Sequence, residues 1–181
     1  KIVIDRFERY PMPGTRGELS VEAFFDEIAG HLLPVLDESD RLSFCFSYAT
    51  QALPNMDGRL QHFCKEVHVR DSEGIEVCAE LQKALRRKGV TKPLHCVLLN
   101  DSVAALLGGK AFSEGRNFDS FLGYVYGTGT NCCYVEETQN IADAESYRGD
   151  SMIVNMESGI HVGFPMGEAD TIVDLESEFP G

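Results

Sequence analysis

Two short segments of this chain carry residue types that suit phosphoryl chemistry. Asn100-Asp101 follows the apolar run Cys96-Val97-Leu98-Leu99, and Gly127-Thr128-Gly129-Thr130-Asn131 lies between the runs 121–126 and 132–135. The first sets a carboxylate where a strand gives way to a helix, facing the positive end of the helix dipole. Within hydrogen-bond reach of an alcohol, such a carboxylate can take the proton as the alcohol attacks phosphorus. The second is a hydroxyl- and glycine-rich turn in which the missing side chains of Gly127 and Gly129 let backbone N–H groups approach phosphate oxygens. Thr128 and Thr130 add donors. Each segment also has a plainer reading. Asp101 is equally an ordinary helix cap, and the two roles are compatible if one oxygen is left free. The glycine-rich segment is equally a hairpin turn. It is not a Walker loop, because no Lys-Ser/Thr pair and no helix follow it directly.

A third set could bind a polyhydroxylated ligand. Ser47, Lys65, Asn100, Asn131 and Glu157 each lie at the end of an expected strand or in the loop after one. A sugar in a closed site needs several fixed donors and acceptors, because an unpaired hydroxyl there is costly. Taken singly, each of these residues is a turn or surface group. The histidines add little: His31 and His62 read as surface or helix-edge residues, and His95 as a structural residue opening a strand. No His-x-x-x-His pair occurs, so no metal site is expected.

These residues must be positioned by an alternation of strands and helices. Residues 1–10 read as a strand, ended by Pro11-Met12-Pro13-Gly14. Ser20 is the expected cap of a helix in which Val21, Phe24, Phe25, Ile28 and Leu32 recur at helical spacing, closed by Pro34. Residues 42–47 alternate as a strand, 49–60 read as a loop, and 62–69 as a strand. Asp71 or Ser72 is the expected cap of the next helix, which carries the stripe Val77, Leu81 and Leu85. That helix closes with Arg86-Arg87-Lys88 and Gly89. A buried strand at 95–99, a helix at 102–112, a polar loop at 113–120 and a hairpin at 121–136 follow. After a polar excursion at 138–150 comes a strand at 151–156, and the acidic tail beyond Gly159 reads as a loop. The order fits an α/β chain with a mixed sheet and flanking helices, with a boundary near Asn100.

Bulk properties narrow the classes. The net charge of −13 over 181 residues argues against general nucleic-acid or anionic-membrane binding. It does not forbid one local phosphate site built from backbone N–H groups. No apolar run reaches spanning length. The six cysteines include no CxxC pair and read as reduced, small apolar residues of a cytoplasmic protein. The start at Lys1 rather than Met suggests a piece of a longer chain.

At these residues the chain resembles the hexokinase family, of the sugar kinase superfamily built on the ribonuclease-H-like, actin-like ATPase fold. Leu42 to Ser47 is similar to the family's strand ending in a Ser-Phe-Pro sugar loop, and Phe63-Cys64-Lys65 to its Trp-Thr-Lys segment. Leu99 to Val103 resembles the Asn-Asp-Thr-Val stretch of the catalytic aspartate. Gly123 to Glu136 resembles the second phosphate motif, and Asn155 to Gly159 the Asn-x-Glu segment. Asp174 to Gly181 resembles the run before a second sugar glutamate. The blocks fall in family order.

The resemblance implies phosphorylation of a glucose-like hexose at its 6-hydroxyl by ATP with Mg2+, a reaction of glycolysis. It implies Asp101 as base, and Ser47, Cys64, Lys65, Asn100, Asn131 and Glu157 beside the sugar. Gly127, Thr128, Gly129 and Thr130 would meet the ATP phosphates. Residues 1–100 would form most of the small lobe, and 101–181 the first part of an incomplete large lobe that is completed by the remainder of the protein's own chain. A non-catalytic sugar sensor of the same fold is the alternative. Three departures bear on this. Tyr48-Ala49 stands where the family has Phe-Pro, and Cys64 stands where it has Thr. The family's first phosphate loop, Asp-x-Gly-Gly-Thr, has no counterpart in these residues, so the piece by itself is expected to be inactive.

Overall fold

A computed structural model describes residues 4, 6–64, 66–113, 115–127, 129–142, 149–161, 163 and 165–177. The expectation for residues 1–10 is corrected: the described residues Ile4 and 6–10 are not in a strand. Among the described residues of this run, Arg6, Glu8 and Arg9 are charged and Ile4 and Phe7 are exposed, so they bury no apolar face.

A brief strand β1 (Leu19–Ser20) leads into helix α1 (Val21–Leu32), where the Ser20 hydroxyl accepts from Ala23 N at 3.2 Å as expected. A 3-10 turn over Leu33–Glu38, with Pro34 in its first positions, ends the helical run. Strand β2 (Arg41–Cys45) follows. The expected loop at 49–60 is in fact mostly a hairpin, with β3 (Ala49–Ala52) antiparallel to β4 (Gly58–His62). Its turn holds the Pro54, Asn55 and Asp57 that signalled a loop. The expected strand at 62–69 is instead an irregular segment before β5 (Val69–Arg70), which pairs parallel with β1.

Helix α2 (Val77–Arg87) starts later than expected, with Glu76 rather than Asp71 or Ser72 at its N-cap position. The cap is supplied from a distance. The buried Asp57 carboxylate accepts from Cys78 N at 2.8 Å and Ala79 N at 3.0 Å, tying the β3–β4 turn to the first turn of α2. At the other end, Gly89 adopts φ +89°, and Val90 N reaches back to Leu85 O. Phe24, Phe25 and Ala29 of α1 and Val77, Leu81, Ala84 and Leu85 of α2 form the main core, together with Leu36, Phe46, Leu60 and Val67.

Strand β6 (His95–Leu99) pairs parallel with β2 in the register Arg41↔His95 to Cys45↔Leu99 and is half-buried. Helix α3 (Asp101–Phe112) follows it directly. Strands β7 (Leu122–Tyr126), β8 (Thr130–Glu137) and β9 (Ser151–Asn155) form a three-stranded antiparallel sheet. This sheet packs on α3 through Gly123, where an added Cβ would lie 2.6 Å from Ser102 O and 2.8 Å from Leu106 Cβ. Leu106, Ser102 and Cys133 are buried at that contact. The tail is not all loop: Glu168–Leu175 forms helix α4. Acidic Glu168 and Asp170 suit its first turn, and the Asp170 carboxylate accepts from Gly167 N at 2.8 Å. The described strands thus form parallel and antiparallel sheets with helices against them, a mixed α/β architecture.

Candidate active site

The parallel pairing of β2 with β6 brings two loops that carry candidate site residues to one place. Because Cys45 lies opposite Leu99, the residues that follow each strand emerge side by side: Ser47 after β2, Asn100 and Asp101 after β6. Phe46 N donates to Leu99 O at 2.8 Å and fixes that juxtaposition. The Cys45 thiol registers it electrically. Loss of water pushes its pKa up, the negative charge of Asp101 pushes it further, and a hydrogen bond with Ser47 acts the other way. Open α/β sheets bind ligands at such carboxyl ends of parallel strands.

A cluster of aromatic rings adds the Cys64 segment. Phe63 packs edge-on against Tyr48 at 4.9 Å and Phe46 at 5.9 Å, the residues that flank Ser47. Exposed Cys64 follows, and Tyr48 has its pKa raised by burial first and by the neighbouring Cys64 second. Lys65 lies outside the described residues.

At the start of α3 the cap is Asn100, not Asp101. The Asn100 side-chain oxygen accepts from Ser102 N at 2.9 Å, and Asp101 is the first helical residue. Half-buried Asp101 accepts from Ser102 N through Oδ1 at 2.8 Å, and its Oδ2 accepts no hydrogen bond from the described residues. One oxygen is bound and the other available, the condition under which helix-start and base roles coexist.

Two residues without a role in the sequence reading tie this corner to the antiparallel sheet. Ser102 is fully buried, and its hydroxyl oxygen lies 2.6 Å from Asn100 Oδ1 and 3.0 Å from Asn155 Oδ1, either of which can accept its one proton. Asn155 Oδ1 also accepts from Asn131 Nδ2 at 2.8 Å, while Asn155 Nδ2 donates to Glu157 Oε1 at 2.6 Å. These two contacts fix the orientation of the Asn155 amide, since a flipped amide would set donor against donor and oxygen against carboxylate. The signals in the sequence were faint: Ser102 is a small polar residue opening an Ala- and Leu-rich helix, and Asn155 stands two residues before Glu157.

Asn131 uses its amide fully within the protein. Its Nδ2 donates to Asn155 and, at 3.3 Å, to Ser102 Oγ, and its Oδ1 accepts from Cys132 N at 2.8 Å and Ser158 N at 3.2 Å. Glu157 is exposed and holds a left-handed backbone at φ 48° and ψ 42°, uncommon for a residue with a Cβ. Just beyond it, Gly159 packs against the start of β8, where a Cβ would lie 2.4 Å from Thr130 O.

The glycine-rich turn joins β7 to β8, with Gly127 N donating to Gly129 O at 2.9 Å. Added Cβ atoms at Gly127 and Gly129 would meet no described atom within 4 Å. Packing among the described residues therefore does not ask for glycine at either position, and the Gly127 N–H is taken up by Gly129 O. Thr130 is half-buried beside Asn131, and Thr128 lies outside the described residues. The structure thus gathers Ser47, Cys45 and Asp101 at one strand-end corner, with Cys64 beside Tyr48. Asn100, Asn131 and Glu157 are linked into the same corner through Ser102 and Asn155.

Residues 2–111 match the family model described as Hexokinase, and residues 121–181 match a second model of the same description. Hexokinase-1 of Spinacia oleracea is 31% identical over 100% of this chain, which spans 38% of that relative's length. Hexokinase-3 of Mus musculus is 30% identical over 95% of this chain and 19% of its own. Among solved structures, a hexokinase crystal structure superposes with a TM-score of 0.71 at 26% identity, over 97% of this chain and 40% of that one. A hexokinase from Schistosoma mansoni complexed with glucose shares the fold, with a TM-score of 0.68 at 22% identity over 94% of this chain and 40% of that one. With a family model over more than half of its residues and relatives matched along its whole length, this chain belongs to the hexokinase family.

Proposed function

We propose that this chain is part of an ATP-dependent hexokinase that phosphorylates the 6-hydroxyl of a glucose-like hexose. The observation that carries the proposal is Asp101, with one carboxylate oxygen held by Ser102 N and the other without a described partner, at a corner ringed by polar groups. Asp101 takes the proton of the 6-hydroxyl as that oxygen attacks phosphorus. Ser47, Lys65, Asn100, Asn131 and Glu157 hold the sugar, with Cys64 beside it. Holding the hexose in a fixed pose supplies much of the rate through proximity and orientation.

The uncrowded space beside Gly127 and Gly129 leaves room for a phosphate group, and residues 127–130 would hold the phosphates of ATP. Bound ATP with Mg2+ supplies the transferable phosphoryl group and neutralises its charge. Residues 1–100 serve as most of the small lobe and 101–181 as the first part of the large lobe, with the remainder of the chain supplying the rest of the nucleotide site. The protein works in the cytoplasm, in the first phosphorylation of glycolysis.

Exposed Cys64, in place of the family's Thr, favours a second reading: a sugar sensor that binds hexose without turnover. A coupled ADP-release assay on the full-length protein, run across several hexoses, separates the two. The enzyme gives hexose-dependent ADP release. Hexose binding without release supports the sensor.

A further inference from the structure

We infer that Asn155, with Ser102 behind it, is the positioning residue that sets the proposed sugar ligands Asn100, Asn131 and Glu157 relative to one another. The inference rests on the hexokinase reading of the site and assigns work to residues that would not themselves touch the sugar. These ligands come from three places in the chain: the start of α3, the start of β8 and the end of β9. No two of them bond to each other directly among the described residues. Asn155 is the common partner: it accepts from Asn131 at 2.8 Å, donates to Glu157 at 2.6 Å, and meets the Ser102 hydroxyl at 3.0 Å. Ser102 carries the link on to Asn100 at 2.6 Å.

The geometry fits a positioning role better than a merely stabilising one. Glu157 is exposed and in a left-handed backbone, so packing does not orient its carboxylate; the described contact on that carboxylate is the Asn155 amide. Asn131 is held more closely by Asn155, at 2.8 Å, than by Ser102, at 3.3 Å. Residues behind a ligand shell act in this way, and their removal lowers affinity without removing a contact. Among the described residues, the glycine-rich turn has its own backbone bond and takes no hydrogen bond from Asn155. Loss of Asn155 should therefore fall on the hexose and spare ATP.

The test uses the full-length protein with Asn155→Ala and Asn155→Asp. The second variant keeps the size and the acceptor for Asn131 but replaces the donor to Glu157 with a repelling carboxylate, so it reports even if Asn155→Ala fails to fold. Calorimetric titration with glucose should show a dissociation constant raised about tenfold in either folded variant. The KM for ATP should stay within about twofold of wild type. Rescue is expected at the neighbouring position: Ser102→Ala weakens glucose binding, and Ser102→Thr, which keeps the hydroxyl, restores it. Glucose affinity unchanged in a folded Asn155→Asp would overturn the inference, as would equal losses for glucose and ATP. Wild-type protein that binds no hexose would overturn the hexokinase reading and this inference with it.

Discussion

Asp101 illustrates how one carboxylate can serve the fold and the chemistry. Its Oδ1 accepts from a backbone donor in the first turn of α3, and in the proposed reaction Oδ2 would act as the base. In the full-length protein, Asp101→Ala should lower kcat by roughly 10²–10⁴-fold, the usual worth of a general base, with sugar affinity less affected. Steady-state kinetics showing kcat within about twofold of wild type would return Asp101 to a purely structural role. Cys64 makes a subtler case. A thiol is a weak donor and a hydroxyl a good one. Cys64→Thr should tighten hexose binding by about two- to tenfold, the worth of one neutral hydrogen bond. Because Cys64 is exposed, the new hydroxyl need not be buried without a partner. Unchanged affinity on calorimetry would show that residue 64 does not face the sugar.

At the scale of elements, the site depends on two junctions. The first is the parallel β2–β6 pair, which aligns Ser47 with Asn100 and Asp101. The second is the close approach of β7 to α3 at Gly123. A side chain there would press on Ser102 O, Leu106 Cβ and Cys133 Sγ, which are backbone or buried atoms with little freedom to shift. Gly123→Ala should therefore cost about 1–3 kcal/mol by overpacking, read as a lower melting temperature. An unchanged melting temperature would mean that α3 and the sheet separate easily.

Much of this scale was legible in the sequence. The Ser20 cap, the apolar stripes of α1 and α2, and the strand–helix junction at Asn100 all follow local rules. What was missed follows long-range ones. Helix α2 begins where Asp57, some twenty positions earlier, can reach its N–H groups, so no local cap residue marks it. The β3–β4 hairpin lacks alternating apolar residues and is set by pairing. The Ser102–Asn155 link joins residues distant in sequence that only the fold makes neighbours.

The 181-residue chain bears a net charge of −13, which does not draw in a phosphate-bearing ligand at long range. Binding must come from local donors, and on the proposed reading the described donors would form only part of a nucleotide site. Phosphoryl transfer depends on positioning and charge neutralisation together, so a partial cradle is insufficient. The most direct test of the central claim is to incubate glucose and ATP with the full-length protein and, in parallel, with residues 1–181 alone, and to identify the product by mass spectrometry. The account predicts glucose 6-phosphate and ADP in equal amounts from the full-length protein and no meaningful product from the 181-residue chain. Absence of any sugar phosphate with the full-length protein, or turnover by residues 1–181 at an ordinary enzyme's rate, would contradict it.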